Sequence, residues 1–222
     1  MIRILIIGTG NMAASHANAF KAEKGVQLVA TVETNPERRE AFAKAHGIGR
    51  SFASLEEALA WGGFDAASNV TPDAVHYPTT MKLIAAGKHV LCEKPLAPVY
   101  AEAKRMADAA GKAGVINMVN LTYRASPALQ KARALVAAGR IGQLRHIEAD
   151  YLPSWLVGNQ WGRWDKEERW LWRLSTAHGS KGVVGDIGIH IVDFATYAAG
   201  SDIEYLSSMV KTFHKAKGDR IG

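Results

Sequence analysis

Ile4-Leu5-Ile6-Ile7-Gly8-Thr9-Gly10-Asn11-Met12-Ala13 decides the fold. Four consecutive apolar residues read as a strand covered on both faces, because an alternating strand would leave one side to water. The run ends at once in a glycine-rich turn that opens a helical pattern from about Asn11 to Lys24. The turn has the form G-x-G-x-x-A, where a dinucleotide fingerprint belongs. Gly8 allows a tight turn, Gly10 removes the side chain that would block a pyrophosphate, and Ala13 lets helix and strand pack closely. The helix N-terminus offers N–H groups and the positive end of its dipole to phosphates. Thr9, Asn11 and Met12 complete the loop. Glycines in this spacing also serve plain turns, so the strand–turn–helix context carries the reading.

A second feature agrees with it. Val26 to Val32 reads as the next strand, and Glu33 ends it 23 residues after Gly10. A carboxylate there accepts hydrogen bonds from ribose hydroxyls and repels a 2′-phosphate, which favours NAD over NADP. A solvated loop charge is the plainer reading of Glu33 alone.

Strand and helix signals go on alternating. Asn35-Pro36 opens a helix that runs to His46, and Ser54 to Trp61 is a short one. Phe64 to Val70 is a strand, Asp73 to Ala86 a helix, His89 to Cys92 a strand. Pro98 starts another helix, and Val115 to Val119 is a further strand. This pattern predicts a parallel sheet with right-handed crossovers. The character changes near residue 120. Ser126-Pro127 caps a helix ending at Gly139, Gln143 to Leu152 alternates like a strand, and a Trp-rich stretch follows. A helix over Asp186 to Ala199 and a strand from Tyr205 to Phe213 close the chain. The expected organisation is therefore a dinucleotide-binding domain over 1–120 and a second domain over 121–222. That second domain has few strands for its length, so the chain reads as lacking its C-terminal end.

Composition sets limits. The chain has 222 residues, 48% hydrophobic and 22% charged, an ordinary globular balance. No apolar run approaches the ~20 residues of a membrane-spanning helix, so no membrane partner is expected. The net charge of +6 raises nucleic-acid binding as a class. The basic residues are scattered, however, and only Lys211, Lys215, Lys217 and Arg220 cluster, so no nucleic-acid partner is expected. Cys92 is the single cysteine, which fits a cytoplasmic setting.

Two clusters carry candidate chemistry. Glu93-Lys94-Pro95 follows a strand, and ligands of open α/β sheets bind at the carboxyl ends of strands. A lysine there can point into the cofactor crevice or lie exposed on a loop. In Gly185-Asp186-Ile187-Gly188-Ile189-His190-Ile191-Val192-Asp193, Asp186 and His190 stand one helical turn apart. The aspartate can orient the imidazole, and histidine titrates in the range needed to take a hydroxyl proton. A merely wet helix face is the plain alternative. A metal site from His178, Asp186 and His190 has no supporting spacing, so no metal is expected.

These pieces together resemble the ordered motif series of the Gfo/Idh/MocA oxidoreductase family. The series comprises Gly8-x-Gly10-x-x-Ala13, Thr71-Pro72 with His76, Ala86 to Leu96 around Glu93-Lys94-Pro95, Gly139-x-x-Gly142, and Gly185-Asp186-x-Gly188-x-His190-x-x-Asp193. The resemblance implies a Rossmann domain followed by an α/β domain built on an open, mostly antiparallel sheet. It implies cofactor contacts from Thr71, Pro72, His76, Glu93 and Lys94 as well as from the glycine loop. It implies that Lys94 positions the nicotinamide and the substrate oxygen, that Asp186 orients the substrate and tunes the base, and that His190 is the acid/base. A homodimer or homotetramer is the implied assembly.

Five of the six tryptophans lie between 155 and 172. Trp161 and Trp172 are candidates for stacking on a sugar, although such rings also simply bury area. Tyr123 and Arg124 are candidate substrate contacts or hinge residues. The reading that unites these features is an NAD-dependent dehydrogenase acting on a hydroxyl or ketone of a sugar, cyclitol or related polyol. The alternative is a non-catalytic NAD-binding sensor on the same scaffold.

Overall fold

A computed structural model describes residues 1–158, 160, 162, 163, 166, 167, 170 and 181–211. The chain divides into two compact units, Met1–Asn120 and Leu121–Gly222.

The first unit is a parallel sheet wrapped by helices. Its strands are β1 (Ile2–Ile7), β2 (Val26–Val32), β3 (Arg50–Phe52), β4 (Ala66–Asn69), β5 (His89–Cys92) and β6 (Asn117–Val119). They lie in the order β3-β2-β1-β4-β5-β6, and every pair is parallel. The order in which successive strands join the sheet reverses between β1 and β4, which makes their carboxyl ends the place where a crevice opens. The helices are α1 (Asn11–Ala22), α2 (Pro36–His46), α3 (Leu55–Trp61), α4 (Asp73–Ala85) and α5 (Tyr100–Ala113).

The continuous apolar run of β1 is explained by two cores. Ile4 and Ile6 pack with Ala13 and Ala17 of α1 and Phe42 of α2. Leu5 and Ile7 face the other way, into a cluster with Leu55 and Ala58 of α3, Leu83 and Ile84 of α4, and Ala110 of α5. Alternate residues therefore serve opposite layers. The helix boundaries follow local chemistry. Asn35 accepts the Arg38 N–H at 2.9 Å, Pro36 opens α2, and Gly47 closes it in the left-handed conformation. Pro98 does not open α5: the helix begins at Tyr100 with Val99 as its cap.

The second unit contains a 3₁₀ turn at Thr122–Ala125, α6 (Pro127–Ala137), and a turn of π-helix at Val184–Gly188 that runs into α7 (Ile189–Ala199). The expected second, open and mostly antiparallel sheet does not form among the described residues. Among the described residues the molecule has one sheet, six-stranded and wholly parallel. Gln143 to Leu152 and Tyr205 to Lys211 are not strands. Alternation describes an extended chain, but a strand also needs a neighbour's backbone groups about 4.8 Å away. Ile147, Leu152, Leu206 and Val210 accordingly remain exposed instead of covering a sheet face. Phe213, Trp161 and Trp172 lie outside the described residues. The short strand β3 has no apolar pattern of its own and is made by pairing with β2.

Candidate functional site

The strands end in register, and this places the site. Beyond the last paired residues, Gly8 N–H donates to Val32 O, Val70 N–H to Ile7 O, Glu93 N–H to Asn69 O, and Asn120 N–H to Cys92 O. Glu33, Gly8, Val70, Glu93 and Asn120 thus form one row along the carboxyl edge of the sheet.

Two glycines of the first loop have different reasons to be glycine. Gly8 has φ +91°, and a Cβ there would lie 2.9 Å from the Val70 oxygen. The fold itself demands it. A Cβ on Gly10 would meet nothing within 4 Å. No protein atom asks for that glycine, so the space in front of it suits a ligand's backbone approach. Gly10 also caps α1 without a side-chain hydrogen bond, and the first turn holds no acidic residue. The Ala13 N–H donates to the Gly10 oxygen at 3.0 Å, and the positive dipole end ahead of it suits an anion such as a pyrophosphate.

Glu33 is nearly buried, at 8% exposure, at the end of β2. Its carboxylate accepts from Thr9 Oγ1 at 2.7 Å, from the Asn35 N–H at 2.9 Å, and from Thr34 Oγ1 and Arg38 Nη2 at 3.2 Å each. Burial works to raise its pKa, but these donors outweigh it and hold the group below the usual carboxylate value. Glu33 thus fixes the glycine loop through Thr9 and carries a partly exposed arginine beside it.

The next two loops are locked by buried polar groups. Asn69 takes the Thr71 hydroxyl at 2.7 Å and donates to Thr79 and Thr80 of α4. The fully buried His76 has its ring nitrogens 2.7 Å from the Pro95 oxygen and 2.8 Å from the Thr71 oxygen. It ties the loop of Thr71-Pro72 to the loop of Lys94. The Lys94–Pro95 peptide is cis. Glu93 is turned inward: Oε1 accepts from His16 Nε2 at 2.9 Å and Asn120 Nδ2 at 2.6 Å, and Oε2 from the Lys94 N–H at 3.1 Å. His16 Nδ1 lies 2.8 Å from Ser68 Oγ. Burial raises the Glu93 pKa, and the donors from His16, Asn120 and the Lys94 N–H more than reverse it. Sequence reasoning passed over His16, Ser68, Asn69 and Asn120. The only signal in the sequence is a polar residue at a position the apolar pattern would bury.

In the second unit, Tyr123 connects the candidates. Its ring stands edge-on to His190 at 4.8 Å between centroids and to Phe194 at 6.2 Å. Its hydroxyl meets that of Tyr151 at 2.6 Å. Burial, this bond, and the charges of Tyr151 and Asp186 push the Tyr123 phenol up to about 12, so it stays protonated. His190 and Asp193 are buried on α7, and Asp186 lies in the preceding π turn. Arg124 grips Asp193 with Nε at 3.0 and 3.1 Å from the two carboxylate oxygens and Nη2 at 2.5 Å from Oδ1. Tyr151 was not among the residues the sequence marked. Among the described residues no group of three or more His, Cys, Asp or Glu could hold a metal ion, and His178 lies outside them. No helix among the described residues is long and apolar enough to cross a membrane.

The first unit is thus a doubly wound dinucleotide-binding domain with a ligand-ready glycine loop at its switch point. Comparison with known proteins sharpens the class. Residues 2–121 match the family described as "Oxidoreductase family, NAD-binding Rossmann fold", and residues 129–221 match the "GFO/IDH/MocA C-terminal domain". The chain belongs to the Gfo/Idh/MocA oxidoreductase family. It is 34% identical to 1,5-anhydro-D-fructose reductase of Ensifer adhaerens, over 89% of this chain and 56% of that protein. An oxidoreductase domain protein of Kribbella flavida, 34% identical, superposes with a TM-score of 0.81 over 90% of this chain and 52% of that one. Levoglucosan dehydrogenase in complex with NADH and levoglucosan, 28% identical, gives a TM-score of 0.80 over 90% and 54%. The chain spans about half the length of the curated relatives it matches.

Proposed function

We propose that the protein is an NAD-dependent dehydrogenase that interconverts a hydroxyl and a ketone on a sugar, cyclitol or related polyol. The observation that carries this is Gly10: the fold has no steric need for a glycine there, and a dinucleotide has one. Family membership and relatives named for sugar chemistry support the substrate class.

When bound, NAD supplies the two-electron acceptor or donor. The protein's part is binding and proton handling. Gly8, Thr9, Gly10, Asn11 and Met12 receive the pyrophosphate, and Glu33 the adenosine ribose. Thr71, Pro72, His76 and Glu93 shape the nicotinamide end, where Lys94 orients the ring and the substrate oxygen. His190 takes the proton of the reacting hydroxyl at an imidazole nitrogen, or returns it in reduction, and Asp186 orients the substrate and supports the imidazolium. Tyr123 and Arg124 contribute substrate contacts, and Trp161 and Trp172 stack on the apolar sugar face. The working state is a cytoplasmic homodimer or homotetramer.

A screen of NADH formation against hexoses, anhydrosugars and inositols tests the reading. Turnover on at least one member, abolished in Lys94→Ala, is the expected result. NAD binding with no turnover on any member would show a sensor instead.

A further inference from the structure

The proposed catalytic lysine lies between two residues whose polar groups are spent entirely inside the first unit. Glu93, His16 and Ser68 are buried, and with Asn120 they form one hydrogen-bonded chain from β4 through α1 to the ends of β5 and β6. Burying such groups costs free energy unless every one is paired, and an apolar set of the same volume covers a sheet at least as well. Stability therefore does not account for the chain. Its geometry does something more specific. His16 Nε2 and the Asn120 amide both donate to Glu93 Oε1, which fixes the carboxylate plane, and the opposite oxygen receives the Lys94 N–H at 3.1 Å.

We propose that the His16–Glu93 pair is a positioning device that orients the Lys94 peptide from helix α1, the helix whose N-terminus faces the dinucleotide. His16 and Glu93 are positioning residues, because Glu93 reaches the peptide of Lys94 and His16 acts through Glu93. On the far side, His76 Nδ1 at 2.7 Å from the Pro95 oxygen closes the same segment against α4. The three residues Glu93-Lys94-Pro95 are then held at both ends, and the lysine keeps a fixed relation to the cofactor loop. The inference rests on the dehydrogenase reading for the role of Lys94, though not for the geometry.

Two conservative variants separate positioning from filling. The amide nitrogen of a glutamine reaches about as far as Nε2 of a histidine, and that of an asparagine only as far as Nδ1. In the full chain, His16→Gln keeps the donor to Glu93, and His16→Asn loses it. Hydrogen exchange at the Lys94 amide should accelerate in His16→Asn and stay near the parent rate in His16→Gln. On the best substrate of the sugar panel, kcat should fall on the order of tenfold to a hundredfold in His16→Asn. Its NAD Kd, read by calorimetry, should stay within about twofold of the parent, because the phosphate-binding turn is untouched. Glu93→Gln, which leaves one of the surrounding donors without an acceptor, should match His16→Asn in amide exchange and in kcat and serves for those two readouts if that variant fails to fold. Equal exchange and equal kcat in the glutamine and asparagine variants would overturn the proposal. So would a loss of NAD affinity in proportion to kcat. A Lys94→Ala protein with undiminished turnover would instead remove Lys94 from the mechanism, and a parent with no turnover on any panel member would overturn the dehydrogenase reading; the exchange measurement distinguishes these failures from that of the positioning proposal.

Discussion

Gly8 and Gly10 sit two residues apart and should respond oppositely to the same substitution. In Gly8→Ala the new Cβ would press on the Val70 oxygen from a left-handed backbone, with φ +91°. A strained position of this kind costs about 1–3 kcal/mol, so thermal unfolding should shift clearly downward. Gly10→Ala fills open space from an ordinary φ of −73°. Its unfolding midpoint should hardly move, while calorimetry should show NAD binding strongly weakened. Two equal midpoints would refute the distinction. Glu33 makes a second residue-scale case. Its carboxylate holds Arg38 Nη2 at 3.2 Å, so removing it deletes a repulsive charge and releases a guanidinium. NAD should bind more tightly than NADP to the parent, and Glu33→Ala should narrow the gap. Equal affinities in the parent would sink the assignment of Glu33.

Helix α7 carries His190, the acid/base of the proposed reaction. Val184–Gly188 is a turn of π-helix, so the register between Asp186 and His190 differs from the one-turn spacing that an α-helix predicts. His190 and Asp193 are buried, and Arg124 anchors the element by its paired bonds to Asp193. His190→Ala should therefore cost on the order of a hundredfold or more in turnover, the range for an acid/base residue, with NAD binding retained. Near-normal activity in that variant would remove His190 from the mechanism. Asp193→Asn tests the anchor: weakening the Arg124 pair should lower the unfolding midpoint more than it changes the NAD Kd.

At the scale of the whole molecule, the buried carboxylates make stability depend on pH. Glu33 and Glu93 are both held below the ordinary value by donors that overcome their burial. A depressed folded-state pKa contributes stability that is present above the unfolded pKa and lost as pH falls through the folded one. The unfolding midpoint should thus be flat near neutrality and drop as the solution is acidified below the ordinary carboxylate range. Glu93→Gln should start lower and fall less steeply. An identical acid slope in parent and variant would show that Glu93 is not one of the groups responsible.

The sequence by itself determined the strand–turn–helix alternation of residues 1–120, the glycine loop and Glu33, because these rest on local rules. A buried strand reads as an apolar run, a turn as glycine, and a cap as Asn-Pro. Lys94, Asp186 and His190 are marked by their order along the chain, and their roles remain proposals. The tertiary structure alone decided what needs two distant segments. Strand β3 exists because β2 pairs with it. Among the described residues Gln143 to Leu152 and Tyr205 to Lys211 form no strand, so alternation there did not become a sheet. His16 and Glu93, 77 residues apart, meet only once helix α1 packs on the sheet and brings the His16 ring to Ser68 and Glu93. A hydrogen bond of that span leaves no periodicity in the sequence, since its partners are chosen by packing and not by spacing.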